Sequence, residues 1–560
     1  MAGIGFSLKK LFLKKGLFGL CRAYGYAGLI CAGPMILGVV LLVSVSFLSQ
    51  LAGMSRHDRE LLNCMLTYCL LASLTTTSIF NMTATRYVSD MLYEEKPERI
   101  IPSLYGSTSI LLVGGCLIWA VFLHFSGVLM VYKLLCLWFY AILIVVWMEM
   151  NYLTALKDYK VLVRDFAISL ACGLLLALLM VLLRQVTITT LFLCVILAYG
   201  LLMTLYYRQL LKYFPRSEGS RFSFLRWLDK YRSLAFTGIF VNLGLFAHLV
   251  IMYFGPLQVQ VEGLFYGAPM HDVPALCAFF SILITTINFV TSVEVRFYPL
   301  YRNYYSLFND NGSIRDIEQA EDEMLSVLRQ ELAFNAYKQL ITSLLFIVIG
   351  SIVLELLPLG FNDTSMGIYR LLCAGYGLYA ISNTIMLILL YYEDYTGALL
   401  STFVFAVISI VGTILQILFG QINYYGLGFL SGGLAFYLVS WIRLEWYTRR
   451  LPYYLLCKGN LQLFVLIAAL LTLLGGCALT GGTNGESSET SVQEASDTTS
   501  DPVPSSEPVE KVTASVEDYQ LRDNDAVYED DDEDSIVTMY LTVRKGNSAE
   551  NTDHTWTEVN

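Results

Sequence analysis

The chain has 560 residues, 56% of them hydrophobic and only 15% charged, which excludes an ordinary soluble domain. Its net charge of −10 says little about partners, because the residues after Thr480 carry 20 acidic and 4 basic side chains and leave the remainder near +6. Its twelve cysteines lie mainly in apolar runs (Cys64, Cys69, Cys116, Cys136, Cys172, Cys194) without metal-knuckle spacing, which points neither to a disulfide-stapled secreted domain nor to a zinc module.

At the N-terminus, Ile4 to Lys15 alternates apolar residues and lysines at helical spacing. Residues 1–22 are therefore predicted to lie in the membrane interface, lysines toward anionic headgroups. The apolar run that follows is long enough to span and lacks a small-x-small cleavage site, which argues against a signal peptide. Apolar runs then predict spans at 23–52, 61–92, 103–125, 129–155, 161–183, 187–212, 232–254, 274–298, 332–357, 367–391, 396–419 and 425–447. The predicted fold class is an all-α membrane protein of about twelve transmembrane helices. It has two six-helix halves, 23–212 and 232–450, joined by a cytoplasmic linker at 213–231. With the N-terminus cytoplasmic, about 27 of about 32 basic residues before the tail fall at inner positions, as the positive-inside rule asks.

The longest inner loop, about 299–331, holds a predicted helix over 313–330 with an apolar stripe (Ile314, Ile317, Met324, Leu325, Leu328). Its acidic face is Glu318, Glu321, Asp322 and Glu323. It reads as a solvated connector or as a docking site for a cytoplasmic partner. Beyond Arg450 an extra apolar segment over 459–480 ends Gly475-Gly476-Cys477, the layout of a lipoprotein signal segment, with Cys477 as a candidate lipidation site. A thirteenth span with an incidental cysteine is the alternative. The acidic tail, 481–560, is too polar to bury a core and is predicted to be mostly disordered and extracytoplasmic, with strand character at Ser535–Val543.

A motif recurs at an offset of 210 residues. Leu74-Thr75-Thr76-Thr77-Ser78 leads to Thr85-Arg86-Tyr87, and Ile284-Thr285-Thr286-Ile287-Asn288 leads to Val295-Arg296-Phe297; the same offset lays Gly28 over Gly238. Repeats inside a set of membrane spans suggest a transporter whose halves enclose a pathway, with the second and eighth spans equivalent.

No phosphate-cradling loop, nucleophile elbow or zinc-binding His-Glu pattern is present, and the five histidines are spread over different elements. Neither an enzyme nor a cofactor or metal site is predicted, and nothing points to nucleic acid. Charged and polar groups inside spans are costly unless they pair or face a cavity, so they are the candidates for a substrate pathway. These are Glu149, Glu294, Arg296, Arg86 and Asn242, with Trp147 and Tyr152 as aromatic neighbours. Arg86 and Asp90, at i and i+4, share a helix face and can pair. Gly33-Pro34 should loosen the first span.

The opening Met1-Ala2-Gly3-Ile4-Gly5-Phe6, with Leu8-Lys9-Lys10-Leu11, Ala23-Tyr24-Gly25-Tyr26-Ala27-Gly28 and Ala32-Gly33-Pro34, resembles the Pel exopolysaccharide export proteins, the PelG family. Thr85-Arg86-Tyr87 through Glu94, and Glu294 through Arg302, look alike too. The resemblance covers about 1–455. It implies a MATE-like member of the flippase superfamily that also holds multidrug antiporters and lipid-linked oligosaccharide flippases. The family is assigned to moving a Pel amino-sugar polysaccharide across the bacterial cytoplasmic membrane for the biofilm matrix. Its partners are a cytoplasmic glycosyltransferase, other membrane subunits and the membrane lipids. A tail beyond about 458 departs from the family pattern. Two rival readings stand beside export: a multidrug or cation antiporter of the same fold, and a non-transporting scaffold for the glycosyltransferase.

Overall fold

A computed structural model of the chain describes residues 37–155, 159–292, 296–309, 312–356, 361–452, 519–520 and 544–545. Helix α1 (Leu37–Leu51) is the described part of the first predicted span. Five long helices follow: α2 (Arg56–Tyr93), α3 (Ile100–Phe125), α4 (Met130–Ala155), α5 (Tyr159–Leu182) and α6 (Ile188–Tyr213). Their starts are written locally. Ser55 caps α2 by accepting the Asp58 N–H at 3.1 Å, and Thr187 with Thr190 forms a reciprocal capping box at α6.

The predicted linker is not a loose tether. It contains a short helix, α7 (Leu225–Lys230), whose neighbourhood docks onto the first half. Phe224 meets Phe80 edge-on at 5.4 Å, and Trp227 meets Tyr87 edge-on at 5.0 Å.

The second half begins with α8 (Arg232–Met252) and a two-stranded hairpin, β1 (Val259–Glu262) and β2 (Phe265–Gly267). Next come α9 (Pro269–Phe279), a 3-10 turn at Phe280–Ile282, α10 (Leu283–Ser292) and α11 (Tyr298–Asn309). A 3-10 turn thus interrupts the α-helix of the predicted eighth span, whereas α2, which carries the first copy of the repeated motif, runs 38 residues without interruption. Pro274 inside α9 removes a helical donor just before the break.

Helix α12 (Ile314–Leu345) corrects the prediction of a separate cytoplasmic helix at 313–330: it continues without interruption into the ninth span. A π-turn at Phe346–Gly350 leads on to α13 (Ser351–Leu356), and the Tyr369 hydroxyl donates to the Phe346 carbonyl at 2.8 Å. The last helices of the body are α14 (Asp363–Tyr391), α15 (Tyr395–Phe419) and α16 (Leu427–Thr448).

Among the described residues eleven helices are long and apolar enough to cross a membrane, and the shorter α1 belongs to the first of the twelve predicted spans. In the first half α4 packs on α2, α3, α5 and α6, and α5 packs on α6. In the second, α15 and α14 pack on α16, α15 on α8, and α14 on α9. The two bundles meet where α2 lies along α8.

Further along the chain Tyr519–Gln520 pairs antiparallel with Arg544–Lys545. Ser535–Val543, the interfacial segment 1–22, Gly28, Gly33-Pro34, Glu294 and Cys477 lie outside the described residues.

Candidate functional site

At the end of the bundle where α2 finishes and α8 begins, with Arg86, Lys230 and Arg232 close by, the two halves are tied by charge. On α2, Arg86 Nε lies 2.9 Å from Asp90 Oδ1, so the i, i+4 pair expected from sequence forms. The same guanidinium reaches across to the second half, where its Nη2 donates to Glu393 Oε1 at 3.2 Å. Its carbon sits 5.4 Å from the centre of the Tyr231 ring, and Tyr231 packs edge-on against Tyr395 at 5.5 Å. Trp227 Nε1 donates to Asp90 Oδ2 at 2.7 Å. The result is one charge network with an aromatic rim, drawn from α2, α7, α8 and the α14–α15 turn.

The turn that presents Glu393 is held rigidly. Asp394 caps α15 by accepting the Gly397 N–H at 3.1 Å and takes a two-pronged contact from Arg443 of α16 at 2.6 and 2.8 Å. Both side chains of that pair are nearly inaccessible, at 10% and 3% exposure, whereas Arg86 and Glu393 are 32% and 45% exposed. A buried, bidentate pair therefore positions a half-exposed one. Nearby tyrosines extend the aromatic surface: Tyr301 donates to the Tyr391 carbonyl at 3.1 Å and packs against Tyr305 with the ring planes tilted by 37°.

Along the meeting line, α2 and α8 approach closely at Gly238, where an added Cβ would lie 2.8 Å from the Ser78 carbonyl oxygen. One turn further along α8, half-buried Asn242 donates back to the Gly238 carbonyl at 3.0 Å. Sharing a face with Gly238, it borders the meeting line of the halves.

At the opposite end the β1–β2 hairpin of the second half is clamped to the first. Tyr68 of α2 donates to the Tyr266 carbonyl at 2.9 Å, and Leu264 N–H donates to the Ser126 carbonyl at 2.8 Å. Gly263 adopts a left-handed φ of +57° against that same Ser126 carbonyl, and any Cβ there would collide with it. Contacts therefore cross between the halves at both ends of the α2–α8 line.

The remaining predicted site residues separate into distinct places. Arg296, 65% exposed, pairs with Glu331 of α12 at 2.5 Å, at the same end as Arg86, since adjacent Phe297 packs against Tyr391 and Tyr392. Glu149 is 2% exposed and lies on α4 inside the first bundle, within electrostatic reach of Tyr206 and Tyr207 of α6. The helix that carries it, α4, packs on α2, α3, α5 and α6 of its own half. Trp147 donates to Ser73 at 3.0 Å, and Tyr152, fully buried, shares its hydroxyl with Ser103. Both serve packing within the first half.

Sequence reasoning also passed over two groups. The hairpin carried a signal, Val259-Gln260-Val261-Glu262 alternation followed by Gly263. The histidines did not: His248 of α8 and His271 of α9 come together with ring centres 5.2 Å apart. Among the described residues no cluster of three or more His, Cys, Asp or Glu side chains suits a metal ion.

A model of the PelG family, described as an exopolysaccharide exporter (EPS-E), matches residues 1–456. The chain belongs to the PelG family. No curated protein matches it. Among solved structures it is similar to a MATE transporter in the bent conformation, at 10% identity and TM-score 0.54 over 77% of this chain and 96% of that one. The Vibrio cholerae MATE transporter VcmN in its bent form gives 12% identity and TM-score 0.52 over 77% and 99%. A MOP-superfamily transporter from Pyrococcus furiosus gives 8% and 0.50 over 77% and 96%. At these identities the likeness establishes the fold alone, one shared with MATE transporters. This PelG-family member is a multi-pass membrane protein of a family that exports polysaccharide or a related substrate.

Proposed function

We propose that the chain moves an amino-sugar exopolysaccharide across the bacterial cytoplasmic membrane, supplying a biofilm matrix, by opening the two ends of the meeting line between its halves in alternation. The observation that carries this reading is the weak, half-exposed Arg86–Glu393 tie at one end, set opposite the hairpin clamp at the other. A half-exposed pair is worth at most about 1 kcal/mol, so it can break in each cycle. The moving units are 23–212 and 232–450, with the basic end cytoplasmic in accord with the positive-inside rule. Tyrosines of the basic end offer flat faces to sugar rings, and Asp90 and Glu393 offer charge to ammonium groups.

A cytoplasmic glycosyltransferase would deliver polymer at this same end, where α12 extends out of the membrane. Replacing the chromosomal copy by Arg86→Ala, with expression verified, should lower polymer secretion severalfold without abolishing it, because the basic end then closes less tightly. Normal secretion from that strain would remove the basic-end gate from the account.

A further inference from the structure

His248 and His271 are buried to 1% and 0% exposure in the second half, with ring centres 5.2 Å apart. His248 Nε2 lies 3.3 Å from the Tyr376 hydroxyl of α14, and Phe429 of α16 covers the ring at 4.5 Å. Neither nitrogen of His271 has a hydrogen-bond partner among the described residues. A buried polar group left unpaired costs about 1–3 kcal/mol and calls for an explanation. The nearest charge is Asp272, whose Oδ1 is 3.7 Å from His271 Nδ1. Its other oxygen accepts the N–H of Ala268 at 3.1 Å, the residue directly after the hairpin. Facing this group from other elements are Tyr376 of α14, Tyr253 after α8, and Tyr68 and Cys64 of α2, all within electrostatic reach of Asp272. Tyr68 is the residue that clamps the hairpin and stacks on Tyr253 at 5.5 Å.

We propose that His248 and His271 form a proton site that releases the hairpin end. A hydronium ion delivers its proton to one imidazole nitrogen: the N–H bond forms as one O–H bond of the hydronium breaks, and a water molecule is released. Asp272 then turns toward the new cation, because an opposite charge at contact is the strongest partner in reach. In turning it gives up the Ala268 N–H, and the hairpin loses its anchor at the base. The open conformation also admits water to the unpaired ring nitrogens of His271, so it binds protons better, and low pH populates it. The inference rests on the alternating-access reading, but its test needs no polysaccharide, so the two can fail separately.

The experiment uses the full chain in lipid nanodiscs, spin-labelled through unnatural amino acids at Gln260 of the hairpin and Met130 at the start of α4. Pulsed-dipolar distances are recorded from pH 8 to pH 5.5. A longer distance should grow in as pH falls, the ratio of open to closed rising up to about tenfold per pH unit, the limit for one linked proton. The response should vanish in His271→Gln and in Asp272→Asn, the second variant keeping both imidazoles in place. A wild-type distance that ignores pH, or a pH response preserved in both variants, would overturn the proposal.

Discussion

Arg86 and Glu393 are 307 positions apart in the chain and 3.2 Å apart in space, and their contact ties the first half to the second at the basic end. Around it the structure separates two kinds of ion pair. The Arg443–Asp394 pair is buried and bidentate within the second half, and it fixes the turn that carries Glu393.

These two pairs should respond differently to truncation. Arg443→Ala strands Asp394 in a closed site and should cost about 3–5 kcal/mol. Arg86→Ala removes a half-exposed partner and should cost at most about 1 kcal/mol. Thermal unfolding of the purified protein in detergent decides between them. Equal destabilisation by the two changes would mean that Arg86 is a structural tie and not a gate.

Gly263 supplies a second test, at the other end. Gly263→Ala introduces a collision with the Ser126 carbonyl and a strained left-handed φ. The hairpin should lift and expose Cys64, whose Sγ now lies 3.5 Å from the Tyr266 carbonyl. Labelling of Cys64 by an impermeant maleimide, read by mass spectrometry of its peptide, should rise about tenfold, equivalent to about 1.4 kcal/mol. Gly53→Ala is the control: its φ of +75° imposes similar strain, but nothing lies within 4 Å of the added carbon. If both substitutions expose Cys64 alike, the hairpin is not the closure.

Orientation has its own check. The basic end should face the cytoplasm and the acidic tail the other side. Protease added to protoplasts, or to spheroplasts with an opened outer membrane, should remove the tail and spare the 299–331 region. The reverse pattern would invert the topology and place the Arg86 network outside.

The spans were legible because hydropathy over about twenty residues is a long, redundant signal. Arg86 and Asp90 were legible for a similar reason, since a charged pair at i, i+4 in an apolar helix has few alternatives. Glu393 was not, because its pairing with Arg86 depends on how two bundles dock and leaves no local trace. For Glu149 the sequence showed a carboxylate inside a span but not which helices would surround it, and α4 packs on four helices of its own half. His248 and His271 sit on consecutive helices separated by the hairpin, and only the folded second half brings their rings together. The continuous α12 was missed because the predicted span was ended where polar residues begin, whereas a helix leaving the membrane keeps its backbone hydrogen bonds regardless.

The central claim is that the Arg86–Glu393 end must open for polymer to cross. The most direct measurement joins Arg86→Cys to Glu393→Cys with a reducible bifunctional reagent in cells and follows secreted polymer before and after reduction. The account predicts that secretion stops on cross-linking and returns on reduction, while either single-cysteine strain treated alike keeps its own untreated level. Undiminished secretion through a fully cross-linked protein would contradict it.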